Sequence, residues 1–148
     1  MIIIYLIGIV VEIIWLVYVK FSLNTIDILQ YMLYSIGIPV VIVALTSFLY
    51  SLKSHNSTRK KYICSVINSV IMASVLTIFC MLFINSDVIN TIMNNTITSE
   101  NVQVSISLAK AGDNVQSYLI FIAIGGLGTL LGNKFGKKKV IVQDEYDD

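Results

Sequence analysis

Charged and strongly polar residues are sparse along this chain, and where they gather they divide it into four apolar runs. The first, Met1 to Val19, ends at Lys20, and the second, about Ile28 to Leu52, ends at Lys53. The third, Tyr62 to Ile84, lies between Lys61 and Asn85-Ser86-Asp87. The last begins at Ser117, is shorter, and is softened by glycines. A hydrocarbon core of ~30 Å needs roughly 20 helical residues. Apolar residues fill both faces of each run, so the period-2 alternation of a membrane β-barrel is absent. Inside lipid, a helix satisfies its backbone polar groups within its own segment. The pattern predicts an all-α integral membrane protein with four transmembrane helices. They cover about 1–19, 28–52, 62–84 and 117–133, with an outer loop over 86–116, and a tail over 137–148 follows the membrane domain of 1–136.

Composition sharpens this picture. Of 148 residues, 56% are hydrophobic and 13% charged, with a mean hydropathy of +0.82. A soluble domain carries about 25% charged residues, so the surface charge of a soluble protein is missing. Ten Lys and Arg are offset by nine Asp and Glu, which argues against a basic face for nucleic acid. Nothing basic precedes the first run and Val19-Lys20-Phe21 is a poor cleavage site, so that run reads as a retained helix rather than a signal peptide.

Basic residues set the expected orientation. Lys53, Arg59, Lys60 and Lys61 share one side with Lys134, Lys137, Lys138 and Lys139, against Lys20 and Lys110 on the other. Both termini are therefore expected in the cytoplasm, with Arg59 to Lys61 and Lys137 to Lys139 as anchors at the membrane surface. Within the outer loop, Val102, Val104, Ile106 and Leu108 alternate with Gln103, Ser105 and Ser107 in a half-buried strand pattern, followed by a turn at Ala111 to Asn114.

Candidate chemistry is limited. The lone histidine, His55, has no Cys or carboxylate cluster beside it, so no metal site, nucleophilic triad or cofactor is expected. Cys64 and Cys80 lie sixteen residues apart on one helix and read as apolar fillers. Glu12 is the exception: a carboxyl near the middle of the first span, with no Lys or Arg inside any span. Such a group costs several kcal/mol unless it is protonated, hydrogen-bonded or wet. Counting inward from the outer ends gives a possible polar layer of Glu12, Tyr34 and Thr77, with Asn68 beside it on the ridge Ser65, Ser69, Ala73 and Thr77. Both a structural hydrogen-bonding role and a proton- or ion-responsive role fit Glu12.

In the fourth span Gly125, Gly128 and Gly132 mark a close-approach face, within a protomer or between protomers of a homo-oligomer. Pro39 is expected to kink the second helix. After the lysine triplet, Val140 to Val142 has the character of an edge strand. Asp144, Glu145, Asp147 and Asp148 around Tyr146 read either as a solubilising end or as an anionic docking site expected to take a cytoplasmic protein.

Ile outnumbers Ala 25 to 5, the bias of an AT-rich gene. The expectation is a non-enzymatic small bacterial inner-membrane protein, a homo-oligomeric sensor or anchoring subunit serving phage defence, exclusion or immunity. The alternative is an oligomeric, holin-like pore lined by Glu12 and the polar ridge.

Overall fold

The computed structural model describes residues 3–96 and 115–144, with side chains over 3–96 and 116–136. Every regular element among them is helical. Helix α1 covers Ile3–Ser22, α2 Ile28–Lys53, α3 Thr58–Phe83, α4 Ser86–Asn95 and α5 Val115–Asp144. Four are long and apolar enough to cross a membrane: α1, α2, α3 and the Gln116–Gly136 stretch of α5. The predicted strand over 102–108 and its turn at 111–114 lie outside the described residues.

Two boundaries differ from the sequence reading. The segment after α3, expected as connector, opens with α4. Asn85 caps this helix by accepting from the Val88 amide at 2.9 Å, and Ile92 is buried. Asn95 donates to the carbonyls of Asn24 and Ile26, and Thr96 Oγ1 accepts from the Ile28 amide, so α4 is stitched to the α1–α2 turn. Val88, Ile89 and Ile92 carry the helical spacing; ten residues were too few to stand out as an element. Helix α5 also runs past the expected end of the fourth span, through Gly136 and the lysines to Asp144. Val140 to Val142 is therefore helical, not an extended strand.

Helix α2 contains a π-helical turn at Leu33–Gly37, directly ahead of Pro39. The Ile38 amide bonds the Leu33 carbonyl rather than that of Tyr34. Proline has no N–H, so residue 39 does not take up the Tyr34 carbonyl either. A carbonyl is thus left open in an apolar interior, and Trp15 fills it: its indole Nε1 donates to Tyr34 O at 2.8 Å. The two rings meet edge-on with centroids 5.6 Å apart. What the sequence suggested as a kink is a one-residue slip in backbone pairing, completed by a side chain from α1.

The bundle divides along its axis. Toward the α1–α2 turn it is apolar: Leu16, Val19, Leu76, Phe79 and Phe121 are buried together, with Val43 and Met72 beneath them. Toward the α2–α3 loop Thr46, Ser47, Ser51, Ser54, Ser65, Asn68, Ser69 and Thr129 are buried, together with Tyr5 and Tyr50. Helices α2 and α5 approach most closely in this polar half. A methyl carbon at Gly128 would sit 2.5 Å from the Ala44 carbonyl oxygen, and one at Gly132 2.5 Å from that of Phe48. At Gly125 a methyl would collide with Ser69 Oγ. The glycine face is therefore used up inside one chain, and an oligomer built on it has no free surface there.

Two consequences are measurable as unfolding in detergent. Replacing Trp15 with Phe strands the Tyr34 carbonyl and should cost about 1–3 kcal/mol. In a Pro39→Ala background an N–H returns beside that carbonyl, so the same change should cost less; equal costs would show that Trp15 serves something else. Gly128→Ile or Gly132→Ile should destabilise the protomer by at least about 1–3 kcal/mol. Gly126→Ala, where a methyl meets nothing within 4 Å, should be tolerated.

Candidate functional site

The polar half of the bundle holds a seam of three separate hydrogen-bonded groups that begins at the α2–α3 loop. Lys61 Nζ donates to the Ser51 carbonyl at 2.8 Å, near the C-terminal end of α2 where carbonyls lack helical donors. Lys61 is half-buried, while Arg59 and Lys60 are exposed. Lys137 to Lys139 continue α5 as backbone, and their side chains lie outside the described set, as do residues 145–148 of the expected docking site. Asp144 is the last helical residue.

Ser51 Oγ lies 2.9 Å from both the Thr129 carbonyl and Asn133 Oδ1. Thr129 turns its own hydroxyl to the Gly125 carbonyl, and Ser65 donates to Ser47 at 3.0 Å. Ser69 Oγ lies against Gly125, close to both. One turn along, Asn68 Nδ2 reaches Thr46 Oγ1 at 3.5 Å and the Met72 sulfur at 3.4 Å. Thr46 packs directly against Gly8, which brings α1 to the seam. Tyr5 stacks on Tyr50 with centroids 4.5 Å apart, and Asn56 holds the Tyr50 hydroxyl at 3.0 Å.

Glu12 lies one helical turn beyond Gly8. It is 0% exposed, and neither carboxyl oxygen has a hydrogen-bond partner. Asn68 Oδ1 and Ser69 Oγ are also buried without partners. The four-residue layer read from the sequence is therefore divided. Asn68 belongs to the seam through Thr46, whereas Thr77 bonds the Ala73 carbonyl and lies 3.4 Å from the Tyr118 hydroxyl, near Ser74. Tyr34 contributes its carbonyl and ring to Trp15. None of the three bonds Glu12.

Ser47, Ser51, Thr46 and Thr129 were missed by the sequence reading. Ser47, Ser51 and Ser54 recur at helical spacing within a run of Val, Ile and Leu, and that recurrence is the available signal. A hydroxyl can both donate and accept, and of those in the seam Ser65 and Ser47 bond each other, while Thr46, Ser51 and Thr129 donate to backbone carbonyls. Among the described residues no three His, Cys, Asp or Glu side chains come together as metal ligands.

An unpaired buried carboxyl lowers stability. Glu12→Met should therefore raise the free energy of unfolding by about 1–3 kcal/mol, and Glu12→Gln should unfold close to wild type. A Met variant less stable than wild type would show that Glu12 has a structural partner after all. Compared with models of protein families, with curated proteins and with solved structures, the chain matches none.

Proposed function

We propose that this is a non-enzymatic, multi-pass membrane sensor or anchoring subunit, with both termini cytoplasmic, that passes a change in its helical bundle to a cytoplasmic partner. The bacterial inner membrane is the setting this reading takes. One observation carries it: α5 is uninterrupted from Val115 to Asp144. Thirty residues at 1.5 Å each extend ~45 Å, beyond a hydrocarbon core of ~30 Å. The same helix that packs on α2 at Gly128 and Gly132, and on Ser51 through Thr129 and Asn133, thus leads to the charged terminus.

Charge supports the orientation. The α2–α3 loop and the lysine-rich end of α5 fall at one end of the bundle, and eight of the ten Lys and Arg belong to that end. The inward placement of polar residues weighs against the oligomeric pore. A pore between protomers needs Glu12, Ser65, Asn68 and Ser69 on a shared surface, and a single chain covers all four.

Expressed alone, the chain should leave membrane potential intact. A photo-crosslinking residue at Tyr146 should give one discrete adduct with a cytoplasmic protein, abolished when Asp144, Glu145, Asp147 and Asp148 become Asn or Gln. Collapse of the potential would overturn the reading in favour of a pore, and absence of any adduct would remove the docking site.

A further inference from the structure

The geometry points to Glu12 as a proton-exchanging site reached from one side of the membrane only, through the hydroxyl and amide seam that opens at the Lys61 end of the bundle. This goes beyond the coupling role and does not depend on the tail docking a partner.

Glu12 is the sole carboxylate residue in the four membrane-spanning stretches. Toward the Lys61 end, buried polar groups succeed one another: Asn68 and Thr46, then Ser69, Ser65 and Ser47, then Ser51, Thr129 and Asn133, and water between them would carry the proton from one to the next. Helical side chains lean toward their own N-terminus. Glu12 therefore leans toward the level of Gly8 and Thr46, where the Asn68 carbonyl oxygen is buried and unpartnered. Two acceptor groups at one level, both fully desolvated and neither supplied with a donor, call for a mobile proton or a water molecule.

Toward the other end polar groups are fewer. Leu16, Val19, Met72, Leu76, Phe79 and Phe121 are at most 6% exposed and carry no hydroxyl or amide. Trp15 donates to the Tyr34 carbonyl, Ser35 to the Tyr31 carbonyl and Thr77 to the Ala73 carbonyl, while the Tyr31 hydroxyl is buried without a partner. Lys20 lies over the Phe83 ring at 4.3 Å at the far end.

The titratable groups on the helices around Glu12 are few. Tyr5 on α1, Tyr50 and Lys53 on α2, and Tyr62, Cys64 and Lys61 on α3 lie toward the seam entrance. Tyr18 and Lys20 on α1, Tyr31 and Tyr34 on α2, and Cys80 on α3 lie toward the apolar end. None of them hydrogen-bonds Glu12. A proton on Glu12 thus exchanges with the seam and not with a fixed counter-ion.

Dicyclohexylcarbodiimide tests this, because it modifies the acid form of a membrane-buried carboxyl. The carboxyl O–H adds across a C=N bond to give an O-acylisourea, which rearranges to a stable N-acylurea without any oxidant or reductant. The full chain is reconstituted in phosphatidylcholine–phosphatidylglycerol vesicles sorted for outward C-termini, and the adduct is located by peptide mass spectrometry. Label should appear at Glu12 and vanish in Glu12→Gln. Its rate should follow pH on the tail side, falling about tenfold per pH unit once the acid form is the minority, and ignore pH on the opposite side. The same result is expected after deletion of residues 144–148, which separates this test from the docking reading. Labelling governed by the opposite side or by both sides, or no label at Glu12, overturns the proposal. In the double variant Ser47→Ala, Ser65→Ala, the response to a tail-side pH jump should slow about tenfold or more; an unchanged response would remove the seam as the route. If that variant does not fold, the sidedness measured on the wild-type chain decides alone.

Discussion

The backbones of α2 and α5 meet at Gly128 and Gly132 with room for hydrogen and nothing larger, and most of the bundle's interior follows from that approach. Water exclusion gives helices little reason to associate inside lipid, so close packing and interhelical hydrogen bonds must hold them together. With the two backbones this near, the side chains between them must be small. Besides Ala44, the small residues present are Ser47, Ser51 and Thr129. Each brings a hydroxyl that needs a partner where no water is available, and each has one: Ser65, the Thr129 carbonyl and the Gly125 carbonyl. The packing constraint and the polar seam are thus one feature.

A second local rule is broken in α2 and mended from α1. Pro39 removes a donor and the π turn shifts the pairing, so the Tyr34 carbonyl depends on the Trp15 indole. This contact and the Gly8–Thr46 contact fix α1 against α2 on either side of Glu12. Glu12 is thereby set at the junction between the two halves of the bundle, with hydroxyls toward one end and packed Leu, Val, Met and Phe toward the other.

Against this background the carboxyl stands apart. Several seam atoms are also buried without a partner, among them Asn68 Oδ1 and Ser69 Oγ, but Glu12 alone carries a carboxyl, and both of its oxygens are unpartnered. Such a group contributes nothing evident to packing that a Met or Gln of similar size would not. Local inconsistency of this kind tends to collect at functional positions, and here it coincides with the axial change from polar to apolar interior.

The sequence alone determined the four membrane-length helices, because continuous apolar runs of this length admit no other backbone solution in lipid. It also singled out Glu12, since one carboxyl among Ile and Val is conspicuous whatever the fold. The short α4 and the continuation of α5 through Asp144 were not legible: ten residues give little periodicity, and Gly132, Gly136 and the lysine triplet resemble a helix end. Tertiary structure alone decided what each small or polar residue faces. Gly128 has the same local signal whether it meets another chain or the Ala44 carbonyl, and Lys61 reads as a headgroup anchor until Ser51 is placed beside it. Depth counted along a helix put Thr77 level with Glu12, but rotation about the helix axis turned it toward Tyr118. Periodicity fixes which residues share a face of one helix; which neighbour that face meets is set by how all the helices pack at once.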